Sequence, residues 1–166
     1  PHSLEAEQAV LGCLLIDNDC SINIMSKLKS SDFYTESHQN IFDVMSSLYQ
    51  TSVPIDFVTV TEALEKKNLL DSIGGIDYIT SLTNVIPSAA NYDHYVEIVK
   101  KDSMLRSLIY AGQKIIEKAY DDDDAKAGIS FAEKTIFDIA QKEDISSQEL
   151  IGGALKGVID KFDYIA

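Results

Sequence analysis

Apolar residues recur along this chain at spacings of three and four, with no long alternating run, and that periodicity predicts helices rather than strands. Ser3 is placed to cap a first helix, with Glu5 and Glu7 in its opening turn and Leu4, Val10, Leu11, Leu14 and Leu15 along it, up to Asp17-Asn18-Asp19. Asp19 then caps a short helix carrying Ile22, Met25 and Leu28. Thr35 caps a third, whose stripe is Ile41, Phe42, Met45, Leu48 and Tyr49. Val53-Pro54-Ile55 reads as extended, because proline disfavours helix at itself and just before it. Asp56 begins a fourth helix, ending near Leu69-Leu70, and Gly74-Gly75 turns the chain into a fifth that holds Tyr78, Ile79 and Leu82.

After Pro87-Ser88-Ala89-Ala90 the pattern changes scale. From Asn91 as cap, one helix is expected over residues 92–120, with Gly112 the single glycine inside it. At 1.5 Å per residue this is roughly 43 Å long, too long for a small head, so part of it is expected to project. Asp121 to Asp124 suit a turn feeding the positive end of the next helix better than they suit the negative end of the last. The return helix carries Ile129, Ala132, Ile136 and Ile139, so residues 92–142 read as an antiparallel helical hairpin. A final helix is signalled by Ser146 and Glu149 at capping-box spacing, with Leu150, Leu155, Val158, Ile159 and Phe162 on one side. Gly152, Gly153 and Gly157 weaken it by about 3 kcal/mol relative to alanine, so it is expected to order only against a partner. The expected architecture is therefore all-α, with a globular head over residues 1–90, a hairpin over 91–142 and a linker with its helix over 143–166.

Composition adds the exclusions. With 14 basic and 27 acidic residues the chain carries a formal charge of -13, which phosphate backbones repel, so tight direct DNA binding is not expected. The acidic surface serves solubility or attracts basic protein partners. No run approaches the ~20 apolar residues that span a bilayer, no signal peptide opens the chain, and a cytoplasmic, membrane-free location is expected. The opening at Pro1, without Met, is expected of trimmed ends. Cys13 and Cys20 form no CxxC pair, and His2, His38 and His94 lie far from them, so they read as ordinary core or near-surface thiols. The acidic run at Asp121 lacks the spread ligands and central glycine of an EF-hand. GxxxxGK(S/T), GxSxG, HExxH and GxGxxG are all absent. The carboxylates are expected on solvent faces, and His38 reads as a capping or partly buried residue, since nothing beside it in sequence completes a catalytic set. No catalytic, cofactor or metal site is expected in this chain. The residues alone describe a helical interaction module.

Six blocks in order carry a resemblance to the N-terminal domain of DnaB-type replicative helicases: PHSLEAEQAVLG (Pro1 to Gly12), SDFY (Ser31 to Tyr34), HQNIF (His38 to Phe42), PIDFVTVTEAL (Pro54 to Leu64), GGIDYITSL (Gly74 to Leu82) and PSAANYDHYVEIVKKDSMLRSLI (Pro87 to Ile109). The resemblance implies a hexameric ring helicase acting at the replication fork, whose ATP and Mg2+ belong to a separate C-terminal ATPase domain. This part would be the collar, pairing into a trimer of dimers. Its implied partners are its own copies, primase, a helicase loader or initiator, and DNA through the full ring, and its final helix would pack on the neighbouring subunit's ATPase domain. Tyr34, Phe42, Gly12, Gly74 and Gly75 are expected to serve core filling, close packing and turns. The candidate interface residues are Ile115, Ile129 and Ile136 on the hairpin and Leu150, Leu155, Val158, Ile159 and Phe162 on the final helix. The alternatives are a stand-alone acidic adaptor or DNA mimic, and an enzyme with a site among the acidic loops.

Overall fold

A computed structural model describes residues 1–85, 91–121 and 123–142. Among these the chain is helical throughout, with no strand. Two compact units result, residues 1–105 and 106–166.

Helix α1 (Leu4–Ile16) starts where Ser3 Oγ accepts the Ala6 N–H. It is buried nearly all round, with Val10, Leu11, Gly12, Cys13 and Leu14 consecutive in the core, as an almost uninterrupted apolar run must be. Asp17, rather than Asp19, caps the next segment: its carboxylate accepts the Asp19 N–H over a 3-10 turn at Asn18–Cys20, and α2 (Ser21–Lys27) continues without a side-chain cap. The three-residue turn had no signal of its own in the pattern. Helix α3 (Glu36–Gln50) is capped by Thr35, which accepts the His38 N–H, and α4 (Phe57–Lys66) by Asp56, which exchanges hydrogen bonds with Thr59. Helix α4 stops short of the expected Leu69-Leu70. Asn68 adopts the left-handed conformation (φ 57°), and the Leu69 N–H closes on the Leu64 carbonyl. Gly74 and Gly75, at φ 107° and 72°, then turn the chain into α5 (Gly75–Thr83).

Helices α1 and α5 lie side by side and parallel: Gln8 reaches Tyr78, and Gly12 meets Leu82 one turn further on. A Cβ on Gly12 would collide with the Leu82 carbonyl oxygen, so only glycine permits that approach. Around α1 the core closes with Ile24, Phe33, Ile41, Phe42, Met45, Val60, Leu64, Ile79 and Leu82. Phe42 is core, as expected. Tyr34 is not: it is half exposed and stacks on the His2 ring at 4.0 Å.

Helix α6 (Tyr92–Asp121) is 30 residues long, about 45 Å. Its first turns belong to the head, where Val96 and Val99 enter the core. Its remainder, with a further helix α7 (125–142), belongs to the second unit. No single helix among the described residues is long and apolar enough to cross a membrane. Helix α1 and the segment Asn18–Lys27 are together apolar and long enough, but they meet at a bend of 115° and α1 is the core helix of the head.

Candidate interaction surface

Three polar arrangements, two of them buried, hold the head in shape. The first starts from Glu7, which sits in the opening turn of α1 yet is 1% exposed. Its carboxylate accepts the Tyr34 N–H at 2.7 Å and faces His38 Nδ1 at 2.5 Å. His38 Nε2 lies 2.6 Å from the Tyr78 hydroxyl, to which Gln8 donates. With the Nδ1 proton directed to the carboxylate, Nε2 accepts from Tyr78, and every polar atom of the set is satisfied. One chain of hydrogen bonds thus joins α1, α3 and α5. It offers neither a cleft nor a free nucleophile, so its chemistry is cohesion.

The second arrangement is built on Asp32, also buried. It accepts from the Lys29 N–H at 2.8 Å, from Ser103 Oγ at 2.7 Å and from Lys100 Nζ at 3.4 Å. In the third, Asn23 Nδ2 donates to the Tyr92 hydroxyl and to Asp93, which also pairs with Lys27 at 3.1 Å. These two fix the start of α6 to the head. The expectation that carboxylates occupy solvent faces fails at Glu7 and Asp32, because burial of an acid depends on tertiary partners that periodicity does not register.

The second unit presents the opposite surface. On α6, Ile109, Gly112, Ile116 and Tyr120 recur at three and four residues and define one face. Ile109 is 50% exposed, Ile116 59% and Tyr120 88%, while a Cβ at Gly112 would meet nothing within 4 Å. Leu108 and Tyr110 are exposed as well, and Lys114 Nζ lies over the Tyr110 ring at 5.5 Å. Ala111 is buried and Ile115 half-buried, on another side of the helix. On α7, Ile129, Ile136 and Phe137 are exposed, while Phe131, Ala132, Thr135 and Ile139 are half-buried.

The structure therefore places Ile129 and Ile136 on an exposed apolar face and Ile115 partly inside. Leu150, Leu155, Val158, Ile159 and Phe162, with the Ser146 capping box, lie outside the described residues. Ile109, Ile116, Tyr120 and Phe137 were not among the expected interface residues, although the second stripe on α6, offset by one position from Leu108 and Ile115, was there to find. These exposed side chains are the candidate contact surface, since monomeric proteins rarely expose large contiguous apolar patches. Among the described residues no group of three or more His, Cys, Asp or Glu side chains is placed to hold a metal.

The described residues form an all-α fold with an exposed apolar face on its second unit. The sequence profile described as the DnaB-like helicase N-terminal domain matches residues 1–101, and the chain belongs to that family. It is 37% identical over 166 residues to the replicative DNA helicase DnaC of Bacillus subtilis (strain 168), covering 99% of this chain and 37% of that protein. The crystal structure of the N-terminal domain of DnaB helicase from Mycobacterium tuberculosis superposes with a TM-score of 0.79 at 35% identity, covering 84% of this chain and 98% of that one. A DnaB-like replicative helicase, solved in a study of its interactions with primase, gives a TM-score of 0.71 at 25% identity, covering 87% of this chain and 35% of that one. The chain thus spans little more than a third of the length of the full helicases it resembles.

Proposed function

We propose that this chain is the collar segment of a replicative DNA helicase, associating with its own copies and docking primase at a cytoplasmic replication fork. Membership of the family supports the helicase context. The observation that carries the interaction role is the exposed apolar face of Ile109, Ile116 and Tyr120 on α6, with Ile129 and Ile136 on α7. In this reading the ATP, Mg2+ and unwinding activity belong to a C-terminal ATPase domain, since this chain carries no phosphate-cradling glycine loop. DNA passes through the assembled hexamer rather than gripping an acidic collar. A loader or initiator is a further proposed partner. The pattern of Leu150, Leu155, Val158, Ile159 and Phe162 supports a linker helix docking on the adjacent subunit's ATPase domain.

Primase docking is tested by titrating the cognate primase into the full-length protein and into this chain, read by fluorescence anisotropy. Binding to both is expected. Binding to the full-length protein alone would place the primase site outside residues 1–166 and overturn that part of the reading.

A further inference from the structure

Cys13 and Cys20 are buried in the head, one in the last turns of α1 and the other at the end of the 3-10 turn after it. Their sulfurs lie 3.0 Å apart, and both are free thiols. The Cys13 S–H is directed at Cys20 Sγ, while the Cys20 S–H is within 2.9 Å of the Asp17 carbonyl oxygen. The connection between them is pinned on both sides. Asp17 caps the turn, and Asn18 Oδ1 accepts the Ile55 N–H from the connection between α3 and α4. A turn held in this way keeps the two sulfurs together without help from a metal. Neither thiol takes part in the polar network of Glu7, His38 and Tyr78.

We propose that Cys13 and Cys20 are a redox-active pair that closes to an intramolecular disulfide when the protein meets hydrogen peroxide. The Cys13 thiolate attacks the peroxide oxygen, forming a sulfenic acid on Cys13. Hydroxide departs and takes up the thiol proton as water. The Cys20 sulfur then attacks the sulfenic sulfur, the S–S bond forms, and a second water leaves with the sulfenic oxygen and the Cys20 proton. The two thiols lose two electrons and the hydrogen peroxide gains them. A small oxidant is required because both sulfurs are enclosed.

The contact with Cys20 lowers the Cys13 thiol, against burial and the Asp17 carboxylate, which raise it. The same contact, with burial and Asp17, pushes the Cys20 thiol up. In this proposal Cys13 reacts first and Cys20, with its sulfur 3.0 Å away, is the resolving thiol.

The pair is well placed for mass spectrometry. No Lys or Arg lies between Pro1 and Lys27, so both cysteines fall in one tryptic peptide ending at Lys27. The reduced full-length protein is treated with a small molar excess of hydrogen peroxide, unfolded, alkylated and digested. The expected product is that peptide lighter by two hydrogens, unalkylated, and restored to two alkylatable thiols by dithiothreitol. In Cys20→Ser the sulfenic acid on Cys13 has no resolving partner and is expected to be captured by dimedone. Two freely alkylated thiols, or sulfinic acid on either cysteine without the cross-linked species, would overturn the proposal. The wild-type measurement stands by itself if the serine variant fails to fold.

Discussion

At the scale of single residues, the head depends on positions whose importance lies in what they touch. Gly12 is the clearest, since a methyl group there would press on the Leu82 carbonyl, a backbone atom that moves only with α5. Gly12→Ala is expected to cost about 2–3 kcal/mol through overpacking, read as a lower denaturation midpoint with an unchanged denaturant slope. Glu7 is the second. Glu7→Ala would strand the His38 ring N–H and the Tyr34 N–H in the interior, and a loss of roughly 3 kcal/mol is expected in chemical denaturation. Glu5→Ala, at an exposed site in the same turn, should change stability by less than about 0.5 kcal/mol. If the two variants lose equally, the network is not what anchors α1. In the sequence Glu5 and Glu7 look alike, as two acids favoured by the helix dipole. Only the arrival of α3, thirty residues on, separates them. Phe42 and Gly12 were legible because packing follows from size. Tyr34 was not, because an aromatic ring beside a core segment can equally lie over the surface, as it does against His2.

At the scale of elements, helix starts were more legible than helix stops. Ser3, Thr35 and Asp56 cap as their side chains dictate, since a short oxygen-bearing residue before an apolar period meets the first free N–H groups. The stop after α4 rests instead on Asn68 in a left-handed conformation, a backbone choice that asparagine tolerates without advertising it. The attachment of α6 was invisible for another reason. Asp32 and Ser103 are 71 residues apart in sequence, and nothing local marks them as partners. Asp32→Ala would release Ser103, Lys100 and the Lys29 N–H together, at an expected cost of about 2 kcal/mol. Hydrogen exchange should accelerate in the first turns of α6 and around residue 30, with α1 still protected. Uniform acceleration through the head would mean that Asp32 supports the global fold rather than this attachment.

At the scale of the whole molecule, the chain divides its apolar residues between two uses. In the head they close around α1, and the polar groups among them find partners within the same unit. In the second unit Ile109, Ile116, Tyr120, Ile129, Ile136 and Phe137 stay on the surface. Burying them in a second copy would remove several large side chains from water, each worth about 1.5–3 kcal/mol when fully covered, set against the cost of association. The sequence signalled excess apolar residues along residues 92–142 but not which stripe stays open, because Ile115 and Ile116 differ only by the rotation between neighbouring helical positions. That rotation supplies the test. Ile109→Asp with Ile116→Asp places two charges on the open face and should leave helix content and melting nearly unchanged, while sedimentation shows the chain moving from a self-associated species to monomer at tens of micromolar. Ile136→Asp should weaken association in the same direction. Ile115→Asp, on the half-buried side, should instead lower the melting temperature of the second unit. Wild-type chain sedimenting as a strict monomer at high micromolar concentration, or a double variant indistinguishable in size from wild type, would remove this face from the collar contact.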